Sequence, residues 1–245
     1  MIIYDSDLKI FSSSLINDSK YFSGFATREL GDGKHDIENI FHFLDSNDIE
    51  YRRLVIPEQI HSVNIESFSS KSNEKLVKIE ETDGVITREK GTVLTVVTAD
   101  CCPIIFAEKK EGIIGISHHG WRGSVKKFAV KIIDRMIDEG ARKENINIAI
   151  GPAIGECCYD VDNDRYYEFR EEFDGFTNKI FHHRGGRWHL NLAMLNYLLL
   201  LEVGIKKENI DFFPFCTKCD KDRFFSFRRD RKTIHSEMFS FITRL

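Results

Sequence analysis

The chain has 245 residues, of which 42% are hydrophobic, 30% charged and 12% aromatic, with 20 Phe. That is core material for one large domain or two small ones, and it excludes a disordered chain. A net charge of −4 argues against a general nucleic-acid binder, which carries a basic excess, and no apolar run is long enough to span a bilayer. In chain order, the first predicted element is a weak helix over Asp36–Leu44. Short β-branched runs follow at Leu54–Ile56, Val93–Thr98, Ile104–Ala107, Ile113–Ser117 and Ile146–Ile150 and read as strands, several of them buried. The stretch Ser67, Ser69, Ser70, Lys71, Ser72, Asn73 reads as a surface loop. A helix is predicted from Ser124, because Val125, Phe128, Ala129, Ile132, Ile133, Met136 and Ile137 share a face, with Gly140 at its C-terminal cap. A second helix runs from an Asn191 N-cap through Leu192, Leu195, Leu198 and Leu199 to Gly204. The mixture predicts an α/β or α+β chain, a single domain over residues 1–245 with helices covering a layered mixed sheet. With Asp5 and Asp7 near its start and no basic n-region, the chain reads as cytoplasmic.

The six cysteines fall as three close pairs: Cys101/Cys102, Cys157/Cys158 and Cys216/Cys219. A reducing compartment keeps such residues as thiols, and a buried thiol is first of all a small hydrophobe. Cys216-Thr217-Lys218-Cys219 is a CxxC that stands alone in sequence, without the second pair at zinc-site spacing.

Two segments carry chemistry. In Thr98-Ala99-Asp100-Cys101-Cys102-Pro103, Pro103 cannot donate a ladder hydrogen bond, so the strand is expected to be interrupted there. Asp100 beside Cys101 places polar groups at a strand end. Ser117-His118-His119-Gly120-Trp121-Arg122-Gly123 leads from a strand into a helix, where free N–H groups and the dipole favour an anion. Arg122 adds a planar, bidentate donor for phosphate. A thiol and two imidazoles make a zinc set, and a catalytic zinc keeps three protein ligands with one open position. His61 is the third candidate, although the spacing from His61 to Cys101 to His118 matches no local metal motif.

Gln59-Ile60-His61, Thr98–Pro103 and His118–Gly123 together resemble the family first labelled multicopper polyphenol oxidoreductases, or laccase-domain proteins. Its members have been reinterpreted as purine nucleoside phosphorylases, some of them linked to peptidoglycan editing. The resemblance continues through Gly24-Phe25-Ala26-Thr27-Arg28, Asp83-Gly84, Gly151–Gly155 with Cys158–Val161, Leu190-Asn191-Leu192 and Phe224–Asp230. It implies a laccase-domain, cysteine-hydrolase-like fold and a zinc held by His61, Cys101 and His118, copper being the lesser alternative. His119 stands where a small residue is usual, and Cys102 is read as packing. Glu29-Leu30-Gly31 replaces a glycine pair, and Thr233-Ile234-His235-Ser236 replaces a Thr-Gly-Arg pattern. These departures fall on the rim of the expected pocket.

The resemblance implies phosphorolysis of adenosine, inosine, guanosine and S-methyl-5′-thioadenosine, together with adenosine deamination at the same centre. Phosphorolysis needs an anion pocket and a site that stabilises an oxocarbenium-like sugar. Arg28, Arg122 and Arg228 are candidates to hold phosphate, with Gln59 beside them. The partners expected are purine nucleosides and phosphate, with neither nucleic acid nor membrane, in a monomer or homodimer. The alternative is a cysteine hydrolase, with Cys101 as nucleophile and His118 as base, acting on peptidoglycan precursors. A true multicopper laccase needs clustered His ligands, and nine His without a His-x-His are too few. A non-catalytic binding module does not account for a Cys/His/His set beside three motif arginines.

Overall fold

The computed structural model describes residues 1–69, 73–230 and 235–245. The N-terminal part contributes β1 (Ile2–Asp5), β2 (Ile10–Ser13), β3 (Tyr21–Ala26), α1 (Glu38–Ser46), β4 (Arg53–Pro57), β5 (Ile65–Phe68), β6 (Leu76–Ile79) and β7 (Gly84–Thr87). The middle contributes β8 (Thr92–Thr98), β9 (Cys102–Glu108), β10 (Ile113–His119), α2 (Trp121–Val125), α3 (Phe128–Asp138) and β11 (Ile146–Ile150). The last third contributes β12 (Asp160–Val161), α4 (Asn163–Glu172), α5 (Thr177–Ile180), β13 (Phe181–Arg184), β14 (Arg187–Leu190), α6 (Leu192–Glu202), β15 (Ile210–Phe212), α7 (Phe227–Asp230) and β16 (Met238–Arg244).

The strands build two large mixed sheets. One runs β1-β2-β3-β16-β8-β4-β6, the other β15-β11-β9-β10-β7-β5, and β12-β14-β13 form a small third sheet. Side chains alternate across each strand, so a strand buried on both faces supplies two cores. Leu94 and Val96 of β8 meet Ile105 and Ala107 of β9 between the two large sheets. Val93 and Val97 point the other way, onto Ile40, Phe43 and Leu44 of α1, which are the i, i+3, i+4 face of that helix. Ile104 and Phe106 of β9 pack under Phe128, Ile132 and Met136 of α3 and Leu200 of α6. The order is therefore helix, sheet, sheet, helices, the mixed α/β layering that the sequence predicts.

Several expectations need correction. β9 is not interrupted at Pro103, which pairs in register with His118 as the second residue of the strand. Its carbonyl accepts from the Gly151 N–H at 2.9 Å, just beyond the end of β11, where a missing donor disturbs no ladder. The helix expected from Ser124 is two pieces, because Lys127 adopts φ +56° between α2 and α3. Ile137, placed on its apolar face, is exposed. Gly140 does terminate the helix with φ +94°, a conformation that costs glycine least. The Asn191 side chain accepts from the Met194 N–H, the predicted N-cap. Ser67 ends up inside β5, and the rest of the Ser-rich loop from Ser70 to Ser72 lies outside the described residues, as do Thr233 and Ile234.

Candidate functional site

β10 presents His118 and His119 on opposite sides, as strand alternation requires. The His118 ring meets Asp83, with Nδ1 2.8 Å from Oδ1, and the His118 N–H donates to the Asp83 carbonyl at 2.8 Å. Asp83 is fully buried, just before β7. Its carboxylate also accepts from the N–H groups of Ile60 (3.2 Å), His61 (3.1 Å) and Ser62 (2.6 Å) and from the Ser62 hydroxyl (2.7 Å). One buried carboxylate therefore fixes both the His118 ring and the turn that carries His61.

That turn is strained. His61 has φ +61° and Asp100, next to Cys101, has φ +89°. Such non-glycine conformations cost about 1–3 kcal/mol each and persist where the surroundings over-determine them. Asp83 supplies the determination at His61. At Asp100, the carboxylate accepts from Thr217 Oγ1 (2.6 Å), Ser226 Oγ (3.0 Å) and the Arg228 N–H (2.6 Å). Asp100 thus anchors the Cys101 turn at the edge of the cleft.

The turns bring Cys101 Sγ to 3.9 Å from His61 Nε2, and one ligand atom from each of His61, Cys101 and His118 lies within 4.8 Å of the other two. A Cβ at Gly120 would sit 2.8 Å from His61 Cδ2 and 3.3 Å from Cys101 Sγ, so only glycine lets β10 end this close to the cluster. A thiolate with two imidazoles suits zinc, and the His118 Nδ1–H committed to Asp83 leaves Nε2 as its free donor. The residues fit a metal that keeps an open position. Burial raises the Cys101 thiol, but the His118 and His61 rings outweigh it and bring it down to about 7. Burial depresses His118, and the Cys101 sulfur with the Asp83 carboxylate reverses this, up to about 10. Burial raises Asp83 too, yet the His118 and Ser62 hydrogen bonds hold it at about 2.

The neighbours differ. Cys102 is fully buried in the core under α3, as expected of a packing residue, and burial pushes its thiol up. His119 turns away from the cluster, with Nε2 2.6 Å from Ser117 Oγ and its ring against Phe128. Burial and the His118 charge hold it down at about 3, so it stays neutral.

The three donors open into a cleft of about 1780 Å³, ample for a nucleoside and an anion together. Arg122 lies on the wall with its guanidinium 4.4 Å from the Trp121 ring and no ion-pair partner among the described residues. It belongs to the first turn of α2, which starts at Trp121 and not at Ser124. Arg228 is also on the wall, paired with Asp160 Oδ1 at 2.7 Å. The other two predicted residues serve differently. Gln59 borders the cleft, but its amide donates to the Val97 carbonyl (2.8 Å) and accepts the Val97 N–H (2.7 Å), clamping the His61 segment to β8. Arg28 is not among the lining residues; its Nη1 donates to the Lys221 carbonyl (2.7 Å) and its guanidinium packs 4.8 Å from the Phe225 ring. Arg28 therefore ties two chain segments together and lies outside the cleft lining.

Sequence reasoning missed Arg165 and the aromatic wall. Arg165 of α4 lies over Trp121 at 3.0 Å, and Trp188 stacks on Tyr166 at 3.7 Å beside Tyr159 and Phe227. No local motif marks Arg165, Tyr166 or Trp188, which come together through α4 and the small third sheet, whereas Trp121, Tyr159 and Phe227 fall inside quoted motifs that do not reveal this role. The CxxC also reads differently in three dimensions. Cys216 and Cys219 join Cys157 and Cys158, so the pair does not stand alone.

Asp83→Asn should weaken metal retention about 10–100-fold, the usual cost of losing an outer partner of a ligating His. Competition with a chelator at fixed pH reads this directly, and unchanged retention would remove Asp83 from the centre. Asp83 should also make stability acid-sensitive. Its folded value near 2 lies below the ordinary ~3.9, so its contribution is complete above about pH 4 and lost as pH falls through 2.

Residues 17–244 match the family described as multi-copper polyphenol oxidoreductase laccase. The chain belongs to this family. It is 32% identical over 182 residues to adenosine deaminase RL5 from an unknown prokaryotic organism, covering 72% of this chain and 70% of that one. It is 33% identical over 199 residues to purine nucleoside phosphorylase YlmD of Geobacillus stearothermophilus, covering 78% and 72%. The solved structure of YlmD from that organism superposes with a TM-score of 0.84 at 26% identity, covering 99% of this chain and 98% of that one. The relatives named as enzymes fit a chain whose cleft holds a thiol and two imidazoles. Among the described residues, no helix is long and apolar enough to cross a membrane.

Proposed function

We propose that this chain is a purine nucleoside phosphorylase for adenosine, inosine, guanosine and S-methyl-5′-thioadenosine that also deaminates adenosine at the same centre. The observation that carries the reading is one cleft in which His61, Cys101 and His118 lie beside arginines and aromatic faces. Names borne by two similar proteins, a purine nucleoside phosphorylase and an adenosine deaminase, support both halves of it. A bound zinc would supply a Lewis acid and an activated water. Trp121, Tyr159 and Trp188 offer flat surfaces for a purine. Arg122 brings positive charge for phosphate, while Arg165 is paired with Glu168 at 3.4 Å and Arg228 with Asp160. Asp83 keeps the His118 ring oriented and its Nδ1 protonated. Phosphate attacks C1′ of the ribose as the C1′–N9 bond breaks, giving the free base and ribose 1-phosphate. In deamination, water adds at C6 and ammonia leaves, giving inosine. Incubation of the purified protein with adenosine, with and without phosphate, tests the reading; no base and no inosine from any purine nucleoside, with zinc verified, would overturn it.

Arg122→Lys keeps the charge and loses the fork, so the KM for phosphate should rise several-fold while kcat changes little. Arg122→Ala should raise it further. An unchanged dependence of rate on phosphate in the Ala variant would remove Arg122 from the phosphate site.

A second reading is favoured by one observation. Asp83, His118 and Cys101 form an acid–imidazole–thiol line, and the thiol sits near 7. A cysteine hydrolase acting on peptidoglycan precursors would use that line with no metal on the sulfur. It requires that alkylating a metal-free Cys101 abolish amide cleavage.

A further inference from the structure

We propose that Cys157, Cys158, Cys216 and Cys219 hold a second, structural zinc ion that staples the loop after Gly155 to the loop after Phe215. The four sulfurs lie within 4.8 Å of one another, with Cys157–Cys219 at 3.5 Å and Cys158–Cys219 at 3.4 Å. Four sulfurs at the ~2.3 Å zinc–sulfur distance form a tetrahedron with edges of about 3.8 Å. A disulfide draws two sulfurs to about 2.05 Å and leaves the other two out, whereas all six cysteines here are free thiols. Among the described residues the cluster consists of four thiols, and soft sulfur ligands select zinc over hard cations.

The backbone is built for this arrangement. Ala153 and Cys216 form a parallel bridge, and the Thr217 N–H donates to the Ala153 carbonyl at 3.1 Å. The Asp220 N–H donates to the Cys216 carbonyl at 3.0 Å and closes the CxxC into one tight turn. A Cβ at Gly155 would lie 3.1 Å from Cys216 Cβ and 3.3 Å from Cys157 Sγ, so a glycine leaves the room the sulfurs occupy. The loops are thus registered without the ion, and four protons leave to solvent when it binds.

The position suggests what the ion does. The loop after Gly155 carries Tyr159 and Asp160 to the cleft wall. Across the cluster, Thr217 donates to Asp100, whose turn carries Cys101. The second zinc therefore braces two segments that shape the cleft, while contributing no ligand to the first centre. The inference does not depend on the proposed activity.

The test counts zinc per chain by elemental analysis of protein purified without chelator. Two are expected in the wild type, one in Cys216→Ser/Cys219→Ser, one in His61→Ala, and none when all three substitutions are combined. Zinc retained undiminished in the double cysteine variant would overturn the proposal. So would iron in place of zinc, or an intact mass 2 Da low with a disulfide mapped to Cys219. Cobalt substitution of the wild-type chain keeps the test independent of how the variants fold. A tetrathiolate centre adds strong sulfur-to-cobalt charge-transfer bands that persist in His61→Ala; bands that vanish with His61 would place all metal at the first centre and sink the inference.

Discussion

Cys101→Ala should lower the rate on adenosine by more than about 10²-fold while leaving the fold intact. Losing an outer partner of a metal ligand typically costs ~10–100-fold, and Cys101 is the sulfur of the donor set itself. The residue ends a turn at the cleft wall, is not packed in a core cluster, and its sulfur contacts His61 and His118. Circular dichroism and the melting temperature should therefore stay close to wild type. Cys102→Ala should behave in reverse. Its side chain is fully buried beside Ile104 and Phe128, so its truncation leaves a small cavity and costs about 1 kcal/mol, with the rate within a few-fold of wild type. Steady-state rates and thermal melts on the two variants decide the matter. Equal losses of activity from both, or a harmless Cys101→Ala, would contradict the assignment.

The contrast between these neighbours was legible in the sequence, because an extended chain sends adjacent side chains to opposite faces. The same rule separates His118 from His119, but the sequence alone does not say which face is the cleft. His61, Cys101 and His118 were gathered by resemblance, since steps of tens of residues match no metal motif. Asp83 was visible as part of a motif, yet its role was not. It meets His118 across the β7–β10 pairing and meets the His61 turn through three backbone N–H groups, none of which leaves a pattern in side-chain types. Arg28 shows the converse. Its motif is present, but the residue ties β3 to the 221–225 segment instead of facing the cleft. Lys127 broke a helix that apolar periodicity ran straight through: Trp121 and Val125 of α2 pack with Leu192 and Leu195, whereas Phe128, Ile132 and Met136 of α3 cover β9. The lone CxxC found its partners in an adjacent pair, a combination that spacing rules for zinc sites do not include.

Adenosine should yield adenine only when phosphate is present, and inosine whether or not phosphate is present. The attacking group is phosphate in the first reaction and water in the second, so only the first can depend on phosphate concentration. Both should fall together when zinc is stripped and return together when it is restored, because the proposed reactions share one donor set, His61, Cys101 and His118. The drop should exceed about 10²-fold, comparable to Cys101→Ala, since either change takes away the same activating ion. The two losses should also not multiply: stripping the metal from Cys101→Ala should cost little more, as expected for groups that act as a unit. Chromatography of the products against time, with metal content assayed in the same samples, makes the measurement. If chelation removes the zinc and adenine formation continues at the original rate, the phosphorylase does not run through this centre; the acid–imidazole–thiol line from Asp83 to Cys101 would then be the chemistry to pursue.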